Sequence, residues 1–271
     1  GVKRLDPSIE VKSIGLTGND DTGAFLKEKL SEYGIDVSLV QETDREVTSF
    51  SDVMTLEGTG ERTFFHNRGA CRLFGQEHMR LEELDAELVL LGYGGLLDAL
   101  NRPDEQYGTA MARLCHDMKE KGIMTAMDVA SINDAAEMRR LVLPSLPYID
   151  YLIVNETEGG MLADIEARDE NGALIPGAME ATAKKLMTAG VREAVVVHAP
   201  EAGCGVDKTG AYCEVPSLKL PKGYIVGAVG AGDAFCAGVL YSIYRKLPME
   251  EALKIAAASA AANLSAGDSV S

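Results

Sequence analysis

The chain has 271 residues, 46% of them hydrophobic, and a formal net charge of −16. Its length and apolar content suffice for one large α/β domain, and its acidity argues against a nucleic-acid surface, which needs clustered Lys and Arg. No apolar run is long enough to span a membrane, and Gly1-Val2-Lys3-Arg4 does not open a secretory leader, so a soluble cytoplasmic protein is expected.

Lys12–Gly15 reads as the first strand. The stretch from about Val37 to Phe74 is β-rich at Val37–Val40, Val47–Thr55 and Arg62–His66, with a hairpin turn at Glu57-Gly58-Thr59-Gly60. It predicts an antiparallel insert too small for a core of its own, suited to a flap over a site or a dimer contact. Leu88–Leu91 is a strand, followed by a helical pattern over Tyr107–Lys121 that Gly122 stops and a strand at Ile123–Val129. A helix at Asp134–Leu143 ends before Pro144, and Tyr151–Val154 is a short buried strand. Met179–Ala189 is a helix stopped by Gly190, Ala194–His198 a strand, and a second hairpin near Cys204–Cys213 turns through Asp207-Lys208-Thr209-Gly210. Tyr224, Ile225 and Val226 give strand signals before two last helices, Gly232–Arg245 and Glu250–Leu264. Repeated strand–helix–strand units imply a mostly parallel sheet covered by helices on both faces. The five cysteines (Cys71, Cys115, Cys204, Cys213, Cys236) form no C-x-x-C pair, and the four histidines have no H-x-x-x-H spacing, so neither a disulfide framework nor a zinc site is expected.

One run carries chemistry. Gly230-Ala231-Gly232-Asp233 directly precedes the helical stretch Ala234–Gly238. Small residues there let a backbone turn bring several free N–H groups to an anion, and the helix dipole adds about half a positive charge. A carboxylate in that first turn faces the anion's reaction partner, so a phosphate cradle stands beside a general base, which points to phosphoryl transfer. Gly238 inside the helix costs about 1 kcal/mol against alanine and predicts a close approach of another element. Asn155 and Glu158, three apart after the strand Tyr151–Val154, share a helix face and are also placed to cap that helix.

Val229-Gly230-Ala231-Gly232-Asp233-Ala234-Phe235-Cys236-Ala237-Gly238 resembles the C-terminal signature D-T-x-G-A-G-D-x-F-x-x-G of the ribokinase-like (PfkB) carbohydrate kinases. Asn155-Glu156-Thr157-Glu158 is similar to that family's N-x-x-E motif, and Gly18-Asn19-Asp20-Asp21-Thr22-Gly23 with Leu26, Leu30 and Gly34-Ile35-Asp36 to its G-D-D-x-x-G stretch. The resemblance covers nearly the whole chain. It implies a single ribokinase-like α/β domain over residues 1–271, with a β lid at about residues 37–74, that phosphorylates a sugar or sugar acid with ATP and Mg²⁺. Asp233 would be the base that takes the proton from the sugar hydroxyl. Backbone N–H groups around Gly230, Ala231, Gly232 and Asp233 would form the anion hole, and Asn155 and Glu158 would act through Mg²⁺ and its waters.

The nucleotide would lie along His198–Gly205 and the last two helices. Gly203 matches the glycine of T-x-G-x-x-G, although His198 and Pro200 stand where Thr and Gly are usual. Asn263 is a candidate for the adenine pocket and equally for the surface. On the sugar side, Arg62 and Arg68 would bind hydroxyls or an acid group, as bidentate donors, or else stabilise the lid hairpin. Asn67 lies between them in the same segment, and Asp128 is an acidic residue near the site or a helix cap. A homodimer through the lid fits the resemblance.

Gly227 and Ala228 replace the signature's Asp and Thr, which leaves activation by a monovalent cation without its usual side chains. Against the family pattern the chain also reads as lacking a first strand and a C-terminal end. A Walker P-loop is absent, and Leu91-Gly92-Tyr93-Gly94-Gly95 misplaces the third glycine of a dinucleotide fingerprint. Two alternatives stay open: a nucleoside or vitamin-precursor kinase of the same fold, and a non-catalytic sugar- or nucleotide-binding regulator.

Overall fold

A computed structural model describes residues 1–55, 62–130, 132 and 134–265. The chain opens with α1 (Val2–Leu5), β1 (Lys12–Gly18), α2 (Asp21–Glu32) and β2 (Asp36–Thr43), then the strands β3 (Phe50–Thr55) and β4 (Arg62–Asn67). Next come β5 (Leu88–Gly94), the two-residue strands β6 (Pro103–Asp104) and β7 (Gly108–Thr109), α3 (Ala110–Glu120), β8 (Met124–Val129) and α4 (Ala135–Val142). The rest is β9 (Tyr151–Asn155), α5 (Glu156–Ala163), α6 (Ala178–Thr188), β10 (Ala194–His198), β11 (Ala202–Asp207), β12 (Tyr212–Pro216), α7 (Ala231–Tyr244) and α8 (Met249–Leu264).

Six strands form the main sheet in the order β12-β11-β10-β9-β8-β5. β5, β8, β9 and β10 are parallel, and β11 and β12 extend the sheet antiparallel. The central strands are apolar on both faces, as a parallel sheet between helical layers requires. Met127, Leu152, Val154, Val195 and Val197 pack with Leu114, Met118, Leu162 and Leu186 of α3, α5 and α6. The alternate residues Ala126, Ile153 and Val196 meet Phe235 and Val239 of α7 and Leu253 of α8. This two-residue alternation decides what each strand presents at its end. No helix among the described residues is long and apolar enough to cross a membrane.

Several expectations need correction. β2 pairs in parallel with β1 across the helix α2, so residues 36–43 belong to a strand–helix–strand unit. Antiparallel pairing in this region is confined to β3 with β4, and the turn expected at Glu57–Gly60 lies outside the described residues. Composition marked these stretches as strands, but pairing partners depend on where α2 returns the chain. Tyr224–Val226 is not a strand: the three side chains are exposed, and the Val226 N–H donates to the Leu264 carbonyl instead of a sheet neighbour (2.8 Å). α3 begins at Ala110, because Tyr107 is held by the Asp104 carboxylate (2.9 Å) and Thr109 caps the helix by accepting from the Ala112 N–H. The remaining elements fall within a few residues of their expected bounds, and the Asp207–Gly210 turn joins β11 to β12 as expected.

Candidate active site

Extending the alternation two residues past Ala126, Ile153 and Val196 gives Asp128, Asn155 and His198. All three stand at the carboxyl ends of parallel strands on the face that meets α7. That end of an α/β sheet is where ligands bind in such folds. The N-terminus of α7 completes the site. Gly230 takes φ 81°, a left-handed turn that favours glycine, and no side chain caps the helix. The N–H groups of Ala231, Gly232 and Asp233 therefore have no intrahelical acceptor and are open to an anion. A β-carbon on Gly232 would approach only the His198 ring, at 3.6 Å.

Asp233 sits in the first turn of α7 and accepts a hydrogen bond from the Tyr93 hydroxyl (3.0 Å). Tyr93 adopts φ 55° where the β5–β8 register shifts between Leu91 and Gly94. A bulge of this kind re-aims a side chain and is frequent beside active sites. Loss of hydration around the hydroxyl and the nearby Asp233 charge push the Tyr93 phenol above its ordinary pKa, although half of the residue stays exposed. Asp128 is pushed up to about 7, first by burial and then by the charges of Glu158 and Asp233. Burial, with the charges of Asp128 and Asp233, raises the Cys236 thiol. Glu158 and Asp233 thus both lie near enough to Asp128 for their charges to act on it.

The N-x-x-E pair fulfils its capping reading: Asn155 Oδ1 accepts from the Glu158 N–H (2.8 Å), and Glu158 Oε2 accepts from the Asn155 N–H (3.2 Å). Capping does not remove it from the site, because the Glu158 charge still acts on Asp128. No group of three or more His, Cys, Asp or Glu side chains among the described residues forms a direct metal cage. The like charges on Asp128, Glu158 and Asp233 nonetheless fit a hard divalent cation that keeps several of its waters. Behind this turn, Arg168 donates to Glu156 (2.7 Å) and through both terminal nitrogens to Glu201 (2.8 and 2.9 Å). It ties the β9–α5 turn to the β10–β11 turn.

His198 stacks on Phe235 with centroids 4.7 Å apart, and burial lowers its pKa to about 4, so the ring is neutral at physiological pH. Gly203 makes room for the same Phe235 ring, which a β-carbon would meet at 2.8 Å. Asn263 is buried under α8, and the surface alternative for it does not hold. Asp128 caps no helix, since Asp134 caps α4.

Arg68 pairs with Asp98 and lines a cavity of about 340 Å³ with Gly95, Asn101, Arg102, Ile132, Glu137 and Leu141. Glu137 is engaged by Arg140 (2.6 Å), which leaves Arg102 as the cavity's uncommitted guanidinium among the described residues. Asn67 lies just outside this wall, its Oδ1 accepting from the Gly69 N–H (3.0 Å) to shape the chain after β4. The Arg62 side chain lies outside the described residues. Sequence reasoning missed Tyr93, Asp98, Arg102 and Arg168 as site residues. The one legible signal was Gly92-Tyr93-Gly94-Gly95 closing a strand, weighed only as a dinucleotide loop.

A family model described as pfkB family carbohydrate kinase matches residues 1–270. The chain belongs to this family. The PfkB kinase described here is 26% identical over 86% of its length to the 2-dehydro-3-deoxygluconokinase of Dickeya dadantii, covering 73% of that protein. It is 25% identical over 94% of its length to the 1-phosphofructokinase of Bacillus subtilis, covering 75% of it. Among solved structures, an E. coli protein described as a ribokinase II, in complex with ATP and Mg²⁺, superposes with a TM-score of 0.77. It is 20% identical, with 99% of this chain and 80% of the other covered, and it shows the shared fold.

Proposed function

We propose that this kinase transfers the γ-phosphoryl group of ATP to a hydroxyl of a sugar acid. The carrying observation is Asp233 in the first turn of an uncapped helix, with its carboxylate already hydrogen-bonded to a hydroxyl. Asp233 takes the proton from the acceptor alcohol as its oxygen attacks the γ-phosphorus, and the bond to the ADP oxygen breaks. The free N–H groups of Ala231, Gly232 and Asp233 stabilise charge on the phosphoryl oxygens. Phosphoryl transfer demands alignment and charge neutralisation more than covalent chemistry, and this turn supplies both.

Glu158 and Asn155, with Asp128, would hold Mg²⁺ through water, and the ion would neutralise charge on the phosphates. His198, Gly203 and Asn263 lie on the nucleotide side, where the Arg168 bridge keeps two turns in register. The cavity walled by Arg68 and Arg102 lies beside the β5 end, and its guanidinium groups favour a carboxylate-bearing substrate. The kinase of Dickeya dadantii, whose name specifies such an acid, supports this choice. The β3–β4 hairpin would cover the sugar and pair with its counterpart in a homodimer, and the setting would be cytoplasmic.

The test is ADP release with ATP, Mg²⁺ and a panel of 2-dehydro-3-deoxygluconate, ribose, fructose 1-phosphate and adenosine. Turnover is expected with the sugar acid, and Asp233→Asn should lower it roughly 10²–10⁴-fold with ATP affinity near normal. A near-wild-type rate in that variant removes Asp233 from the mechanism. Turnover with adenosine alone would establish a nucleoside kinase instead.

A further inference from the structure

The contact between Tyr93 and Asp233 joins residues 140 positions apart, so tertiary structure alone creates it. The phenol offers an O–H to the carboxylate in the manner of the acceptor alcohol that this base must deprotonate. Its geometry is specialised. Tyr93 holds a left-handed φ of 55°, uncommon for a bulky residue, at the strand irregularity that turns it toward α7. It is flanked by Gly92 and Gly94, and Gly95 beyond takes φ 100°. Tyr93 is 51% exposed, so the ring has open space into which to withdraw. Gly95, two residues on, belongs to the wall of the Arg68–Arg102 cavity.

We propose that Tyr93 is a specificity-determining plug whose hydroxyl occupies the acceptor-alcohol place on Asp233 until the sugar displaces it. The proposal rests on Asp233 being the base. With the plug in place, the Tyr93 O–H fills the Asp233 oxygen that would otherwise accept a proton from water. Water then lacks a base, and wasteful attack on the γ-phosphorus, with release of ADP and phosphate, is suppressed. A sugar held by several contacts in the cavity displaces the phenol, whereas a lone water does not.

The test compares the full chain with its Tyr93→Phe variant, which keeps the ring and loses the hydroxyl. ADP release is measured with ATP and Mg²⁺ alone, then with 2-dehydro-3-deoxygluconate. Sugar-free hydrolysis should rise roughly threefold to tenfold, and the sugar KM should fall by a similar factor, the scale of one ordinary net hydrogen bond. Unchanged sugar-free hydrolysis overturns the proposal, as does a raised KM, which would make Tyr93 a sugar contact. One phosphoryl group found on Tyr93 by mass spectrometry after incubation with ATP also overturns it, since the phenol would then be an acceptor. Asp233→Asn, assayed in parallel, separates the two readings. If Asp233→Asn is inactive and Tyr93→Phe is silent, the plug fails and the base stands. If Asp233→Asn turns over normally, both fall.

Discussion

At the residue scale, Asp128 shows how the fold reshapes a strand-end carboxylate. The period of the sheet sends its side chain to the α7 face, where burial and the charges of Glu158 and Asp233 raise its pKa from 3.8 to about 7. A folded-state pKa above the unfolded value means that the native chain binds the extra proton between about pH 4 and 7. Stability from this group is therefore full below about pH 4 and is lost as pH rises through about 7. Asp128→Asn should remove that loss. The variant is expected to match wild type in urea denaturation at pH 4 and to exceed it at pH 8, by at most about 4 kcal/mol. A constant difference across that range would show that Asp128 does not titrate in this window. The Asn155–Glu158 pair teaches a related lesson: one pair of side chains both caps a helix and places a charge beside Asp128.

At the element scale, α7 carries the site at its first turn and the core along its length. Phe235, Val239 and Leu240 bury in one core with the sheet and with Leu253 and Ala256 of α8, and the adjacent Gly238 faces α8 directly. The approach is close: a β-carbon on Gly238 would lie 2.6 Å from the Ala256 Cα and 2.9 Å from its nitrogen. These are backbone atoms and cannot swing aside. Gly238→Ala would gain about 1 kcal/mol of helix propensity but pay about 1–3 kcal/mol in overpacking. A net loss of up to about 2 kcal/mol is expected in chemical denaturation, and a more stable variant would show that α7 and α8 separate readily. The small residues Ala256 and Ser259 have their explanation in the same contact, since larger side chains there would hold the helices apart.

At the scale of the whole molecule, the β3–β4 hairpin stands away from both hydrophobic cores. Phe50, Val53, Met54 and Phe65 remain exposed, which is unusual for a two-stranded element and fits a surface that covers something else. Its base is fixed to the body. Asp20 accepts from the Thr48 N–H (2.7 Å) and hydroxyl (2.6 Å), and the Ser49 hydroxyl donates to the Arg68 carbonyl (2.6 Å). Replacing residues 50–67 by a short Gly-Ser linker, with Thr48, Ser49 and Arg68 kept, should leave the Tm within a few degrees, because little core is lost. The same change should raise the sugar KM at least about tenfold, the value of roughly 1.4 kcal/mol of lost contact. A collapse of the Tm would make the hairpin part of the folding unit.

How much was legible follows from the range of each interaction. The parallel sheet, its helical layers and the glycine turn that opens α7 at Gly230 were readable because period, helix starts and glycine placement are local properties of neighbouring residues. The close approach at Gly238 was readable for the same reason, since a glycine inside a strong helix signals missing space. The partner of β2, the loop at Tyr224–Val226 and the burial of Asn263 were not, because strand propensity does not name a neighbour. Nor were Tyr93, Arg102 and the Arg168 bridge. The sequence by itself determined where most helices and strands lie and that a glycine turn opens α7. Only the tertiary structure decided which hydroxyl faces Asp233 and which carboxylates act on Asp128, because those distances are set by packing between residues far apart in the chain.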